Sequence, residues 1–302
     1  MPTLVTPDIP LPRHDRSVVA VAAPGEGPGH WAGGPSAVLA EGDWWLAYRL
    51  RRPVGEGRGY AVTIARSPDG EAFTPAATLE RDAFGAASLE RPALVRRPDG
   101  GWRIYISCST PGSDHWWVDA LDADDPGSFD PAARTPVFPG DDGTAMKDPV
   151  VWCDDEGWHA WVCCHPLDDA GATDRMTSRR ATSDDGLRWR FTGDELAGAA
   201  GAWDQRGARV TSVVPGTGAL FYDGRADADE NWEERTGLAV PGSGGGLVRP
   251  DDGPVAVSPH ASGALRYLCV VALPDGGHRL FYEAATADGA HDVRTELVLP
   301  AD

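Results

Sequence analysis

The sequence predicts an all-β fold: a five-bladed β-propeller with four antiparallel strands per blade. Three observations predict it. Five stretches begin alike, near Gly33, Glu90, Lys147, Arg209 and Arg266, at intervals of 57, 57, 62 and 57 residues. Each start leads into a short apolar run, a turn and a second, aromatic-rich run, as in Pro35-Ser36-Ala37-Val38 with Trp45-Leu46-Ala47-Tyr48, or Pro92-Ala93-Leu94-Val95 with Trp102-Arg103-Ile104-Tyr105. No stretch carries a sustained helical period with caps. A period near 50 residues built of short strands is the mark of a propeller, in which equivalent positions of every blade meet around one axis.

The elements follow in order. Blade 1 is expected to hold strands at about Ser36–Ala40, Trp44–Leu50, Tyr60–Ser67 and Ala76–Leu79, joined by Glu41-Gly42-Asp43 and Pro68-Asp69-Gly70. Asp and Gly at these places supply tight-turn chemistry. Pro98-Asp99-Gly100-Gly101, Asp154-Asp155-Glu156-Gly157 and Pro274-Asp275-Gly276-Gly277 serve blades 2, 3 and 5 in the same way. Blade 5 reaches only three strands before residue 302. Ser17–Ala22 reads as a strand without a blade, so it is expected to supply the fourth strand and close the ring, removing open edges. The whole chain, 1–302, reads as one domain.

Composition sets limits. The formal charge of −19, with 46 acidic against 27 basic residues, disfavours nucleic acid and anionic membranes as partners. Residues 1–16 contain no apolar run of signal-peptide length, and no segment is long enough to span a bilayer, so a cytoplasmic location is expected. The five cysteines lack zinc-ligand spacing, and no metal or other cofactor is indicated.

The repeat register places candidate site residues together. Inner-strand starts, second-strand ends and the loops beyond them should share one axial funnel. The starts contribute Glu90, Arg91, Lys147, Asp148, Arg209 and Arg266. The second-strand ends contribute Arg49, Ser107, His165, Asp223, Arg225 and Glu283. The loops contribute Asp114, His115 and Trp116 and the acidic segment Asp227–Glu234, with Trp232 and Glu233; His30 and Trp31 lie just before blade 1. A solvated loop would account for the acidic segment equally well. Glu90 and Asp148, one or two residues before a proline in neighbouring blades, form the sharpest pair. Two carboxylates across a pocket can divide into an acid and a base or an acid and its tuning partner.

Ser67-Pro-Asp-Gly-Glu-Ala-Phe73 and Ser183-Asp-Asp-Gly-Leu-Arg-Trp189 resemble the Asp-box turns of sialidases and other glycosidase propellers, and are read as structural. Lys147-Asp148-Pro149, followed by Asp154-Asp155-Glu156-Gly157-Trp158, resembles the block in which the five-bladed propeller glycosidases (glycoside hydrolase families 43, 32, 62 and 68, and the related family 130 phosphorylases) place a functional Asp. The likeness covers about Gly29 to Pro300. It implies that Asp148 orients substrate and tunes the acid. The chain departs from that pattern at blade 1, where Ala32-Gly33-Gly34-Pro35 carries no carboxylate, and at blade 4, where Ala208-Arg209-Val210-Thr211-Ser212 carries no Glu.

The expected function is therefore glycosidase-like action on a glycosidic bond of a sugar or glycosylated small molecule, including an anionic one. Glu90 is assigned as general acid, Asp148 as its orienting partner, and Asp223 or Glu233 as water-activating base. Arg209, Arg266 and Lys147 would hold an anionic group, or else only neutralise Glu90, Asp148, Asp223 and Glu283, with Arg49, Arg91, Arg225, His30, His115 and His165 beside them, and Trp116, Trp232 and Trp31 would line the sugar. Two alternatives stand: a phosphate-dependent glycoside phosphorylase and a non-catalytic carbohydrate-binding propeller.

Overall fold

The computed structural model describes residues 9–300; the reading of residues 1–8 lies outside that range. The protein is all-β. Among the described residues, helical structure is confined to four short 3₁₀ turns, at His14–Arg16, Val54–Glu56, Arg81–Phe84 and Pro131–Ala133.

The strands run β1 (Val18–Val21), β2 (Trp31–Ala40), β3 (Asp43–Arg51), β4 (Gly59–Ser67), β5 (Thr74–Glu80), β6 (Leu89–Arg96), β7 (Trp102–Ser109), β8 (Trp116–Ala123), β9 (Thr135–Phe138) and β10 (Thr144–Asp154). They continue with β11 (Gly157–Pro166), β12 (Thr177–Ser183), β13 (Arg190–Ala197), β14 (Gly207–Val213), β15 (Leu220–Arg225), β16 (Arg235–Pro241), β17 (Leu247–Val248), β18 (Leu265–Ala272), β19 (His278–Ala285) and β20 (His291–Val298). Successive strands pair antiparallel within each repeat: β2 to β5, β6 to β9, β10 to β13, β14 to β17, and β18 to β20. Single parallel pairings, Arg235 with Leu265 and Trp31 with His291, join three of these meanders into one sheet. The expected N-terminal strand is present as β1, and it adds antiparallel to β20 with Val18 opposite Thr295.

Apolar side chains fill the space between neighbouring meanders. Val62, Ile64, Leu94, Ile104 and Ile106 form one such layer; Tyr105, Val118, Phe138, Trp158 and Val162 form the next. Burial of this alternating inward set is the main favourable term in holding the sheets together.

The two Ser-x-Asp-Gly turns have one geometry. In each, the serine hydroxyl accepts from the glycine N–H at 2.9 Å, and the Asp carboxylate accepts two further backbone N–H groups, Glu71 and Ala72 in one case and Leu187 and Arg188 in the other. The glycines sit at φ +75° and +70°. The aromatic that closes each turn packs inward, Phe73 against Phe281 and Trp189 against Phe138 and Tyr105. These aspartates are structural, at the end of the meanders away from the inner-strand starts.

Candidate functional site

Each inner strand, β2, β6, β10, β14 and β18, shifts register just after its start: between Gly33 and Ser36, Leu89 and Pro92, Lys147 and Val150, Val210 and Ser212, and Arg266 and Cys269. A β-bulge re-aims the side chain it carries. Three bulge residues, Gly34, Asp148 and Tyr267, lie in the left-handed region at φ +60°, +51° and +55°. Glycine adopts that conformation freely; Asp and Tyr do so at a cost of about 1–3 kcal/mol, which surrounding contacts must hold in place.

Those contacts form the site. Asp148 is fully buried. Its carboxylate accepts from the Arg91 N–H at 3.2 Å, from Arg209 Nη1 at 3.1 Å and from the Tyr267 hydroxyl at 3.2 Å. Arg209 turns its other edge to Asp223, Nη2 to Oδ2 at 2.7 Å, and Asp223 also accepts the Tyr267 N–H. Arg266 bridges Glu283 at 2.7 Å and Glu234 at 2.6 Å. Glu234 receives Arg225 at 2.5 Å, and Arg225 continues to Asp174. Arg49 joins Glu283, at 3.0 Å, to Glu90 in a close ion pair. The Tyr267 ring lies beneath Arg209 at 4.0 Å and Arg266 at 5.2 Å. This chain of alternating charges ties all five meanders together, and every buried charge in it has an opposite partner, as burial demands.

Proton affinities follow from the pairing. Burial pushes Glu90 up, but Arg49, Lys147 and Arg51 outweigh it and hold the carboxyl well below the ordinary range. Glu283 behaves likewise under Arg266 and Arg49, and Glu234 under Arg209, Arg266 and Arg225. At Asp223 burial wins: with Glu234 nearby it overcomes Arg209 and raises the carboxyl to about 6. Burial, Lys147 and Arg209 together press His165 well below its usual range, so it is neutral.

The departure at Ala32-Gly33-Gly34-Pro35, at the start of β2, has a structural answer. A side chain at Gly33 would overlap the Glu283 carboxylate, which also accepts the Gly34 N–H at 3.1 Å. The carboxylate missing from the start of β2 is replaced in space by one from β19. Glu283 was grouped with the funnel from its register, but nothing in the sequence linked it to Gly33.

Other expected site residues gather toward the outer side of this cluster. Lys147 Nζ sits 4.6 Å from the Trp116 ring and 3.7 Å from Asp148. Trp31 and Trp232 meet at 6.5 Å between ring centres, and the Arg51 guanidinium lies 4.3 Å from one and 4.5 Å from the other. Arg51 reaches Glu90 only at 3.9 Å, and its Nε has no hydrogen-bond partner. Glu233 lies near His291 at 3.6 Å and bonds the Ser262 hydroxyl. His165 hydrogen-bonds the Thr173 carbonyl at 3.2 Å, His115 pairs with the Thr110 hydroxyl at 2.8 Å, and the His30 carbonyl accepts the His291 N–H.

Two expectations change. Arg209 and Arg266, read as holders of an external anion or as neutralisers of the clustered acids, direct their N–H groups to protein carboxylates, because four acids converge on them. The Arg91 guanidinium points away from the cluster, to the Thr211 carbonyl at 2.7 Å, and only its backbone N–H serves Asp148. Sequence reading left out Arg51, Asp174, Tyr267 and His291, and included Glu234 only as the end of the acidic loop. Tyr267 and Arg51 were legible in principle: Tyr267 aligns with Asp148 in the repeat, and Arg51 follows Arg49 by the two-residue step that returns a strand to one face. Among the described residues, no group of three or more His, Cys, Asp or Glu side chains is placed to hold a metal ion, and no helix is long and apolar enough to cross a membrane.

No protein-family model and no curated protein matches the chain. Solved structures do. A thermostable family-43 glycoside hydrolase aligns with TM-score 0.67 at 14% identity, covering 94% of this chain and 93% of its own. A family-43 enzyme from Xanthomonas citri complexed with xylotriose aligns at 0.65 and 16% identity, covering 94% and 91%. A structure from the family-130 mannoside phosphorylases, described as including glycoside hydrolases that target β-1,2 mannosidic linkages in Candida mannan, aligns at 0.58 and 12%, covering 99% and 95%. The chain has the fold of these glycosidases over nearly its full length.

Proposed function

We propose that this chain is a glycosidase-like enzyme acting on the glycosidic bond of a sugar or glycosylated small molecule with an anionic group, bound at the inner-strand-start end of the axis. In this reading the five meanders are five blades of one propeller spanning residues 1–302, and β1 completes the last blade and closes the ring. The observation that carries the proposal is Asp148. It is held in left-handed backbone at a bulge and gripped by Arg91, Arg209 and Tyr267, at the place where the sequence resembles the functional Asp block of propeller glycosidases. Strain kept at such a position points to function.

The roles adjust to the electrostatics. Glu90, kept anionic by Arg49, Lys147 and Arg51, suits a base or charge-stabilising group better than an acid. Asp223, raised to about 6, takes the proton-donating role, since a general acid works best with a pKa near the operating pH. Asp148 orients the pair. Arg51, with its free Nε between Trp31 and Trp232, and Lys147 against Trp116 receive the anionic group and the sugar faces.

A non-catalytic sugar-binding propeller is the second reading. The burial of Glu90, Asp148, Asp223 and Glu283 in arginine pairs favours it. A panel of aryl glycosides, assayed with and without inorganic phosphate, separates the readings. Hydrolysis that falls about a hundredfold or more in Asp223→Asn and in Glu90→Gln is expected. Cleavage only with phosphate would move the assignment to a phosphorylase. Full activity in both variants would remove these roles, and saccharide binding without turnover would leave the binding reading.

A further inference from the structure

The axis has a second end. The far halves of all five inner strands, Ser36–Leu39, Ala93–Arg96, Val150–Asp154, Thr211–Val213 and Cys269–Ala272, surround a cavity of about 530 Å³. Val38, Val95, Val151, Val213 and Val271, one from each strand, line it beside a smaller set of polar residues. Such a volume lies within the range of small-molecule sites.

Its lining includes one buried guanidinium. Arg91 leaves β6, and its Nη2 donates to Thr211 O of β14 at 2.7 Å and to Pro35 O of β2 at 3.5 Å. The residue is 3% exposed, and its Nε and Nη1 have no hydrogen-bond partner. An unsatisfied buried donor costs about 1–3 kcal/mol, more when charged. Among the described residues of the lining, Asp154 is the one carboxylate, and it accepts from Trp152 Nε1 at 3.2 Å and pairs with His159 at 3.0 Å. The cavity thus has, among mostly apolar lining residues, one buried guanidinium with two unpartnered N–H groups, while its one carboxylate is already engaged.

We propose that this cavity is a binding site, separate from the carboxylate cluster, for a small monoanionic carboxylate with an apolar body. The carboxylate meets Arg91 and the body fills the valine-lined walls. Arg96, the other arginine of the lining, is paired with Glu41 at 2.7 Å, so one unpaired guanidinium is left to match one negative charge; a phosphate dianion would bring a second charge without a partner.

Benzoate and its neutral counterpart benzyl alcohol are the probes, read by isothermal titration calorimetry on the full chain. Wild type is expected to bind benzoate about 10- to 100-fold more tightly than benzyl alcohol, the ratio of a charged to a neutral hydrogen-bond partner. Arg91→Met should abolish that preference. Val151→Trp fills the cavity while leaving Arg91 in place, and should lose benzoate altogether; it keeps the test open if Arg91→Met does not fold. Equal binding of the two probes by wild type, no binding of benzoate, or undiminished binding by Val151→Trp would each overturn the proposal.

Discussion

Two repeated features of the chain place residues in left-handed backbone, and they treat the side chain in opposite ways. At the outer turns, Gly70 and Gly186 hold the same position in the same hydrogen-bonded loop. At the inner-strand bulges, the equivalent residues are Gly34, Arg91, Asp148, Val210 and Tyr267, and two of the four non-glycine members keep positive φ. A turn needs only the backbone shape, so the residue with the lowest cost is used each time. The bulge needs the side chain, so the repeats diverge there and the fold bears the cost. Strain without a required side chain is removed by glycine; strain that persists under Asp and Tyr marks the part of the repeat given over to chemistry.

Removing Asp148 is the strongest way to break this contrast. Asp148→Ala deletes the acceptor for Arg209, Tyr267 and the Arg91 N–H while leaving alanine in left-handed backbone. Breaking a buried ion pair from one side costs about 3–5 kcal/mol, so denaturant unfolding should lose about that much. Asp148→Asn keeps an acceptor and tolerates the backbone; it should lose clearly less. Equal losses in the two variants would show that neither the φ nor the retained acceptor matters.

How much of this was legible in the sequence depends on the distance over which a residue acts. Strand order, the outer turns and the β1 addition to β20 rest on local patterns of two to six residues, and these could be read. Membership of the buried charge cluster could also be read, because the repeat register brings Glu90, Asp148, Arg209 and Arg266 to one place. Pairing within the cluster could not. Whether Arg209 faces solvent or Asp148 and Asp223 depends on how side chains from different meanders fill one dry volume. The same limit hid the roles of Glu234 and Asp174, which sit in loops with no register, and the cavity at the other end, whose apolar lining looks like any buried strand.

The Gly33–Glu283 relation sharpens the contrast from the other side. Gly33→Asp would restore a carboxylate at the start of β2 but drive it into that of Glu283. Overpacking alone costs about 1–3 kcal/mol, and like charges add to it. Paired with Glu283→Ala, the same substitution should recover part of the loss, giving a favourable coupling of about 1–3 kcal/mol in a double-mutant cycle of unfolding free energies. Strict additivity would mean that the two positions do not share one carboxylate site.

The smallest expected effect tests the glycine side. A side chain at Gly186 would meet Trp158 at 2.7 Å, as well as adopting φ +70°, whereas a methyl group added at Gly193, at φ +96°, would have no atom within 4 Å. Gly193→Ala therefore isolates the backbone term, about 1 kcal/mol, and Gly186→Ala adds a packing term of about 1–3 kcal/mol. Thermal unfolding should rank wild type above Gly193→Ala and Gly193→Ala above Gly186→Ala. Should the two variants unfold together, the outer turn would owe its glycine to φ alone. Trp158 would then be free to move, and the turn would be held by its Ser183 and Asp185 hydrogen bonds alone.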